Sequence, residues 1–161
     1  MRLRFALLVA VTTVLTVLSP TAVGPAHAAP AHSPGTDWAY VNRQLYEVSL
    51  STFLVTAAGG TGDRWFDWST DFCSAPMLGN TGVTYDFRGP CRRHDFGYRN
   101  LRLLDRRYGA GHWTSANRRR VDLQFLADMR AHCAHRSLWL QPTCRWWAQT
   151  YYAAVRLWGG R

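Results

Sequence analysis

Three side chains able to do chemistry fall within one and a half helical turns in the run Cys91-Arg92-Arg93-His94-Asp95-Phe96-Gly97-Tyr98-Arg99-Asn100. A fourth, Asp122, lies further along, on the same helical stripe as Phe125, Leu126, Met129 and Cys133. A carboxylate on an apolar stripe costs several kcal/mol or takes up a proton unless a cation or a strong donor meets it. Two partners are open to Asp122: one of the many arginines, as a structural ion pair, or His94. A histidine held against a buried acid, with a second acid beside it, is the equipment of a hydrolytic or metal site.

Positioning those groups requires two helices. At about 100° per residue, His94, Tyr98 and Leu101 share a face with Cys91, and that face points inward if Cys91 is bridged. His94 and Asp95 are about 100° apart around the axis, so they serve different partners. His94 can face Asp122 on the neighbouring helix while Asp95 looks toward the preceding loop. Tyr98, one turn beyond His94, either joins that network or packs in the core. Pro90 suits the first turn of this helix, which is predicted from Cys91 to about Arg107 and ends at Gly109-Ala110-Gly111. Thr114-Ser115 caps a second, about Ala116 to His132. A last helix is predicted from Arg145 to Trp158.

Upstream, Trp38, Val41, Leu45, Val48 and Val55 recur at helical steps and predict one helix from Asp37, broken at Gly59-Gly60-Thr61-Gly62. Trp65 to Cys73 reads as a turn entering a small helix. Ser74 to Pro90 reads as a loop with a short hairpin at Val83–Phe87. The fold class is mostly all-α: a small disulfide-stabilised helical domain with short loops, whose two antiparallel central helices carry the His/Asp pair.

The N-terminus has a different character. Met1-Arg2-Leu3-Arg4 precedes an apolar run from Phe5 to Leu18, and Ala26-His27-Ala28 supplies small residues for cleavage, a secretory leader over 1–28. The run is shorter than the roughly 20 residues a membrane span needs. Residues 29–161 are then one domain, with 29–36 a loose start. The four cysteines, Cys73, Cys91, Cys133 and Cys144, imply two disulfides in an oxidising compartment. Three pairings are possible and the sequential one is simplest; each short loop so closed adds on the order of 3 kcal/mol. All 19 basic residues are arginine, against 10 acids. Such a charge suits an anionic lipid surface, wall polymer or nucleic acid.

One resemblance is specific. Phe66-Asp67-Trp68-Ser69-Thr70-Asp71-Phe72-Cys73, followed by Cys91-x-x-His94-Asp95-Phe96-Gly97-Tyr98-Arg99-Asn100 and then Asp122, resembles the secreted prokaryotic phospholipase A2 family. Tyr151-Tyr152-x-Ala154-Val155 within Trp147 to Gly159 is similar too. The resemblance implies a secreted, calcium-dependent enzyme that hydrolyses the sn-2 ester of glycerophospholipids to a lysophospholipid and a fatty acid. His94 would match the base that activates water, and Asp122 the acid that orients it. Asp71 and Asp95 would match Ca²⁺ ligands through their side chains, and Phe72 through its backbone carbonyl, where relatives are expected to carry leucine. The family's disulfides would pair Cys73 with Cys91 and Cys133 with Cys144. The implied partner is a phospholipid membrane or micelle, met peripherally by a monomer, with no nucleic acid.

Rival readings are a secreted basic nuclease, using Arg118-Arg119-Arg120 on phosphates, and a non-enzymatic membrane-active protein. A zinc site from Cys91, His94, His132 and Cys133 is disfavoured because bridged cysteines cannot ligate metal. His112 and His135 read as surface residues.

Overall fold

A computed structural model describes residues 32–73 and 85–159. The expected leader and cleavage site lie outside the described residues. So do positions 74–84 of the long loop, with the first half of the expected hairpin; Tyr85–Phe87 form no strand.

Among the described residues five α-helices follow in order: α1 (Pro34–Asn42), α2 (Leu50–Ala58), α3 (Arg88–Tyr108), α4 (Ser115–Ala134) and α5 (Gln141–Trp158), with a π-helical turn over Arg43–Glu47. No strand occurs among the described residues. Helices α3 and α4 are antiparallel, since Arg93 meets Asp128 and Gly97 meets Val121. Helix α5 returns antiparallel to α4, tied by Cys133–Cys144 at one end and by Arg156 to Asp122 at the other. Cys73–Cys91 is the second bridge. The all-α, disulfide-tied class expected from the sequence is what forms.

Four local expectations need correction. The start at 29–36 is not loose throughout: Ser33 and Thr36 form a capping box and Pro34 opens α1. The single helix predicted from Asp37 is two. Val48 turns extended, and Ser49 caps α2 by accepting from the Thr52 amide. The carbonyl freed at the break is taken by Arg93 Nη1 at 2.8 Å. Regular spacing hid the break because both pieces feed one apolar cluster with α3, through Val41 and Leu45 from the first and Phe53 from the second; Val55 instead points to solvent.

The small helix expected from Trp65–Cys73 does not form. Asp67 Oδ1 accepts from both the amide and the hydroxyl of Ser69, a local bond that competes with helix. Asn100, fully buried, then takes the Asp67 amide at 2.9 Å and donates to its carbonyl at 2.8 Å. Finally, His112 is not a plain surface residue: its ring packs on Trp38 and its amide donates to Asp105.

Two apolar clusters flank the centre. One gathers the disulfides with Phe87, Phe125, Met129 and Tyr151; the other gathers Leu45, Phe53, Phe96, Leu101 and Val121. Between them α3 and α4 come very close at Gly97. A β-carbon there would lie 2.7 Å from Val121 Cγ1 and 3.0 Å from Leu45 Cδ2.

Candidate active site

That close approach places His94 on α3 against Asp122 on α4. His94 Nε2 and Asp122 Oδ1 are 2.8 Å apart, and both side chains are buried. Tyr98 donates its hydroxyl to the same oxygen at 2.7 Å. The other oxygen, Oδ2, accepts from Arg156 Nη1 at 2.7 Å. Both partners open to Asp122 from sequence, the histidine and an arginine, are therefore engaged, one per oxygen. Burial works to raise the Asp122 carboxyl, but the bonds from His94, Arg156 and Tyr98 outweigh it and hold it below the usual carboxylate range. It is an anion at neutral pH. Burial and the charge of Asp122 push the Tyr98 hydroxyl far above its ordinary value, so it stays a neutral donor. With Nε2 committed to the acid, Nδ1 is the ring nitrogen left for chemistry.

His94 lines a cavity of about 240 Å³. Its walls are mostly apolar, including Phe72, Phe125, Tyr151, Val155 and Trp158, with Asp95 and Tyr98 among its few polar residues. Few polar groups in an apolar concavity is the usual make-up of a small-molecule site.

Asp95 turns away from Asp122, toward the loop before α3. Its Oδ2 accepts from the Thr70 hydroxyl at 2.5 Å and from the Asp71 amide at 3.2 Å. The Asp71 carboxylate, more exposed, accepts from Arg99 Nη2 at 2.7 Å. Phe72 is the one described non-glycine residue with positive φ, 57°. Such conformations are strained and persist where surrounding structure imposes them. Here the imposing contacts are the Asn100 clasp on Asp67, the Thr70 hydroxyl bonded to the Phe72 amide, and Cys73–Cys91. Burial, then the nearby charge of Asp71, raise the Asp95 carboxyl, although the Thr70 bond pulls it down and the net shift is upward.

No three His, Cys, Asp or Glu side chains gather as a metal site among the described residues. The Asp71 amide bond to Asp95 sets two carboxylate-bearing residues side by side, so the side chains on offer are oxygen donors. That chemistry fits a hard cation such as Ca²⁺ and not a thiophilic metal.

Sequence reasoning missed Arg156 and Thr70. Arg156 had a faint signal, as the last arginine on a helix predicted to pack in the domain. Thr70 had none beyond its place in the 66–73 run. A second buried pair was also missed: Arg93 Nε donates to Asp128 at 2.8 Å, locking α3 to α4 beyond His94.

Fold and centre together define a disulfide-tied helical hydrolase with a histidine–aspartate dyad in an apolar pocket. Residues 41–159 match the prokaryotic phospholipase A2 family, to which the chain belongs. It is 37% identical over 121 residues to a secretory phospholipase A2 of Arthroderma benhamiae, a match spanning 73% of this chain and 76% of that protein. Another, from Beauveria bassiana, is 35% identical over 119 residues, 74% of this chain and 57% of that one. The enzyme class is thus phospholipase A2, and the nuclease and non-enzymatic readings fall away.

Proposed function

We propose that the chain is a secreted, calcium-dependent phospholipase A2 that cleaves the sn-2 ester of glycerophospholipids at a membrane or micelle surface. The observation that carries this reading is the 2.8 Å His94–Asp122 bond at the wall of an apolar cavity that also holds Asp95.

In this reading His94 Nδ1 accepts a proton from water as the water attacks the ester carbonyl. Nε2–H donates to Asp122, which fixes the tautomer and stabilises the imidazolium. Tyr98 and Arg156 hold the carboxylate in place from its two oxygens. The proton then passes from Nδ1 to the leaving alkoxide, releasing lysophospholipid. No nucleophilic side chain is needed, and all four cysteines are bridged. Asp95, Asp71 and the Phe72 carbonyl are the groups that would hold Ca²⁺, whose chemistry there is to bind the substrate phosphate and stabilise the oxyanion. The apolar walls would take the acyl chain and exclude water.

Secretion is supported by the leader-like start, the two disulfides and the word secretory in the relatives' names. No helix among the described residues is long and apolar enough to cross a membrane.

The test is hydrolysis of phospholipid vesicles with and without a calcium chelator, with products resolved by position. Free fatty acid from sn-2, abolished by chelator and restored by added calcium, is the expected result. Chelator-insensitive activity, or cleavage at sn-1 alone, would overturn the calcium and regiochemical parts of the reading.

A further inference from the structure

The loop between α4 and α5 presents three apolar side chains to solvent, two of them almost bare. Leu138 and Trp139 are 84% and 80% exposed, and Leu140 is also exposed. Yet this loop is braced from every side. Cys133–Cys144 closes it, and the Leu140 amide donates to Ser137. The Gln141 side-chain amide donates to the carbonyls of Ala134 and Arg136. Tyr85 bonds the Leu140 carbonyl. A stiff platform presenting a leucine and a tryptophan to water loses solubility and gains no internal packing, so the apolar tip has an external use.

The surroundings name that use. Residues 129–161 contain five arginines and no aspartate or glutamate. Beside the tip, a groove between α4 and α5 is lined by Arg130, Arg145, Trp146 and Gln149. The two guanidiniums there bond only neutral amides, of Gln149 and Gln141, and neither has an acidic partner among the described residues. Apolar tip, tryptophan shoulder and uncompensated arginines match a surface that is oily inside and anionic at its rim. The stripe continues along α5. Trp146 and Leu157 lie about 20° apart around the helix axis, both well exposed, and Trp158, next to Leu157, lines the active-site cavity.

We propose that the Leu138–Leu140 tip, with Arg130 and Arg145 beside it, is the docking surface for an anionic phospholipid bilayer, into which Trp139 and Leu138 insert. It rests on the phospholipid-surface reading above and names the part of the chain that makes the contact. The bilayer would lie along the outer stripe of α5, so that the cavity mouth at Trp158 meets the lipid at the other end of the same helix.

Two sets of variants test it, Leu138→Ser/Trp139→Ser and Arg130→Gln/Arg145→Gln. Partition onto phosphatidylglycerol and phosphatidylcholine vesicles is measured by co-sedimentation. Turnover is measured on a short-chain phospholipid below its micelle concentration. The tip variant should lose at least about tenfold of vesicle partition on both lipids, at unchanged monomer turnover and melting temperature. The arginine variant should lose partition on phosphatidylglycerol only, together with its salt dependence. A tip variant that partitions like the unaltered enzyme overturns the surface while leaving the membrane reading intact. An unaltered enzyme that partitions onto neither lipid overturns both. Sedimentation velocity that finds a dimer dispersed by the tip variant makes the tip a self-association face and overturns the proposal.

Discussion

His94 and Asp95 are neighbours on α3, yet the groups they face are built in opposite ways. The His94 side is closed. Its acid comes from a second helix, both carboxylate oxygens are occupied, and Arg156 from a third helix completes the shell. The Asp95 side is open. Its partners come from a loop, Asp71 is drawn off by Arg99, and the backbone is held at positive φ by clasps at either end. On the proposed reading, a dyad that must keep one tautomer through turnover is held by rigid elements. On the same reading, a cradle that exchanges a cation is built from a loop, where its groups can adjust to the ion. Substitutions on the closed side should therefore act on kcat, and those on the open side on calcium affinity.

The largest break in that contrast is His94→Ala. General-base assistance is worth about 10²–10⁴ in rate, so kcat should fall by that order while calcium binding, read by calorimetry, stays within about twofold. Asp122→Asn should lose less, because the imidazole remains but is no longer stabilised as a cation. Calcium affinity that collapses in either variant would mean the two sides are not separate.

Gly97→Ala probes how the closed side is brought together. The new methyl would overlap Val121, and overpacking of this kind typically costs about 1–3 kcal/mol. Thermal unfolding should shift accordingly and kcat should fall, because α3 and α4 part where His94 meets Asp122. Pairing it with Val121→Ala, which vacates the space, should restore both. Failure of the pair to recover kcat would show that the interhelix spacing does not set the dyad.

Arg156→Met removes one charge-assisted bond from a buried carboxylate. Bonds to charged groups contribute about 1.5–3 kcal/mol, here at the lower end because the guanidinium is one-third exposed. About tenfold in kcat is expected, with KM little changed and with Arg156→Lys recovering part of it. Equal loss in the lysine variant would reduce Arg156 to a packing role.

The closed side was also the more legible one. An acid on the stripe of Phe125 and Met129 announces a buried partner, and helical phase put His94 inward and Asp95 toward the loop. Helix periodicity carries such information because every residue's direction is fixed by its neighbours. It failed where direction is set by distant groups. The break at Val48 depends on Arg93, 45 residues away in sequence. The Trp65–Cys73 run lies unwound because Asn100 and a disulfide hold it from α3. Thr70 was invisible and Arg156 only faintly marked for the same reason: their roles come from tertiary contact, and threonines and arginines are common on any surface.

The smallest expected effect bears on the open side. Arg99 and Asp71 form a largely exposed pair, and such pairs contribute at most about 1 kcal/mol. If that pair competes with the cation for Asp71, Arg99→Gln should tighten calcium binding by roughly two- to fivefold. Turnover at saturating calcium should not change, since Arg99 does not touch the dyad. The opposite sign is equally informative. Weaker binding in Arg99→Gln would mean that the guanidinium holds Asp71 in place for the ion, and the cradle would then be as preorganised as the dyad beside it.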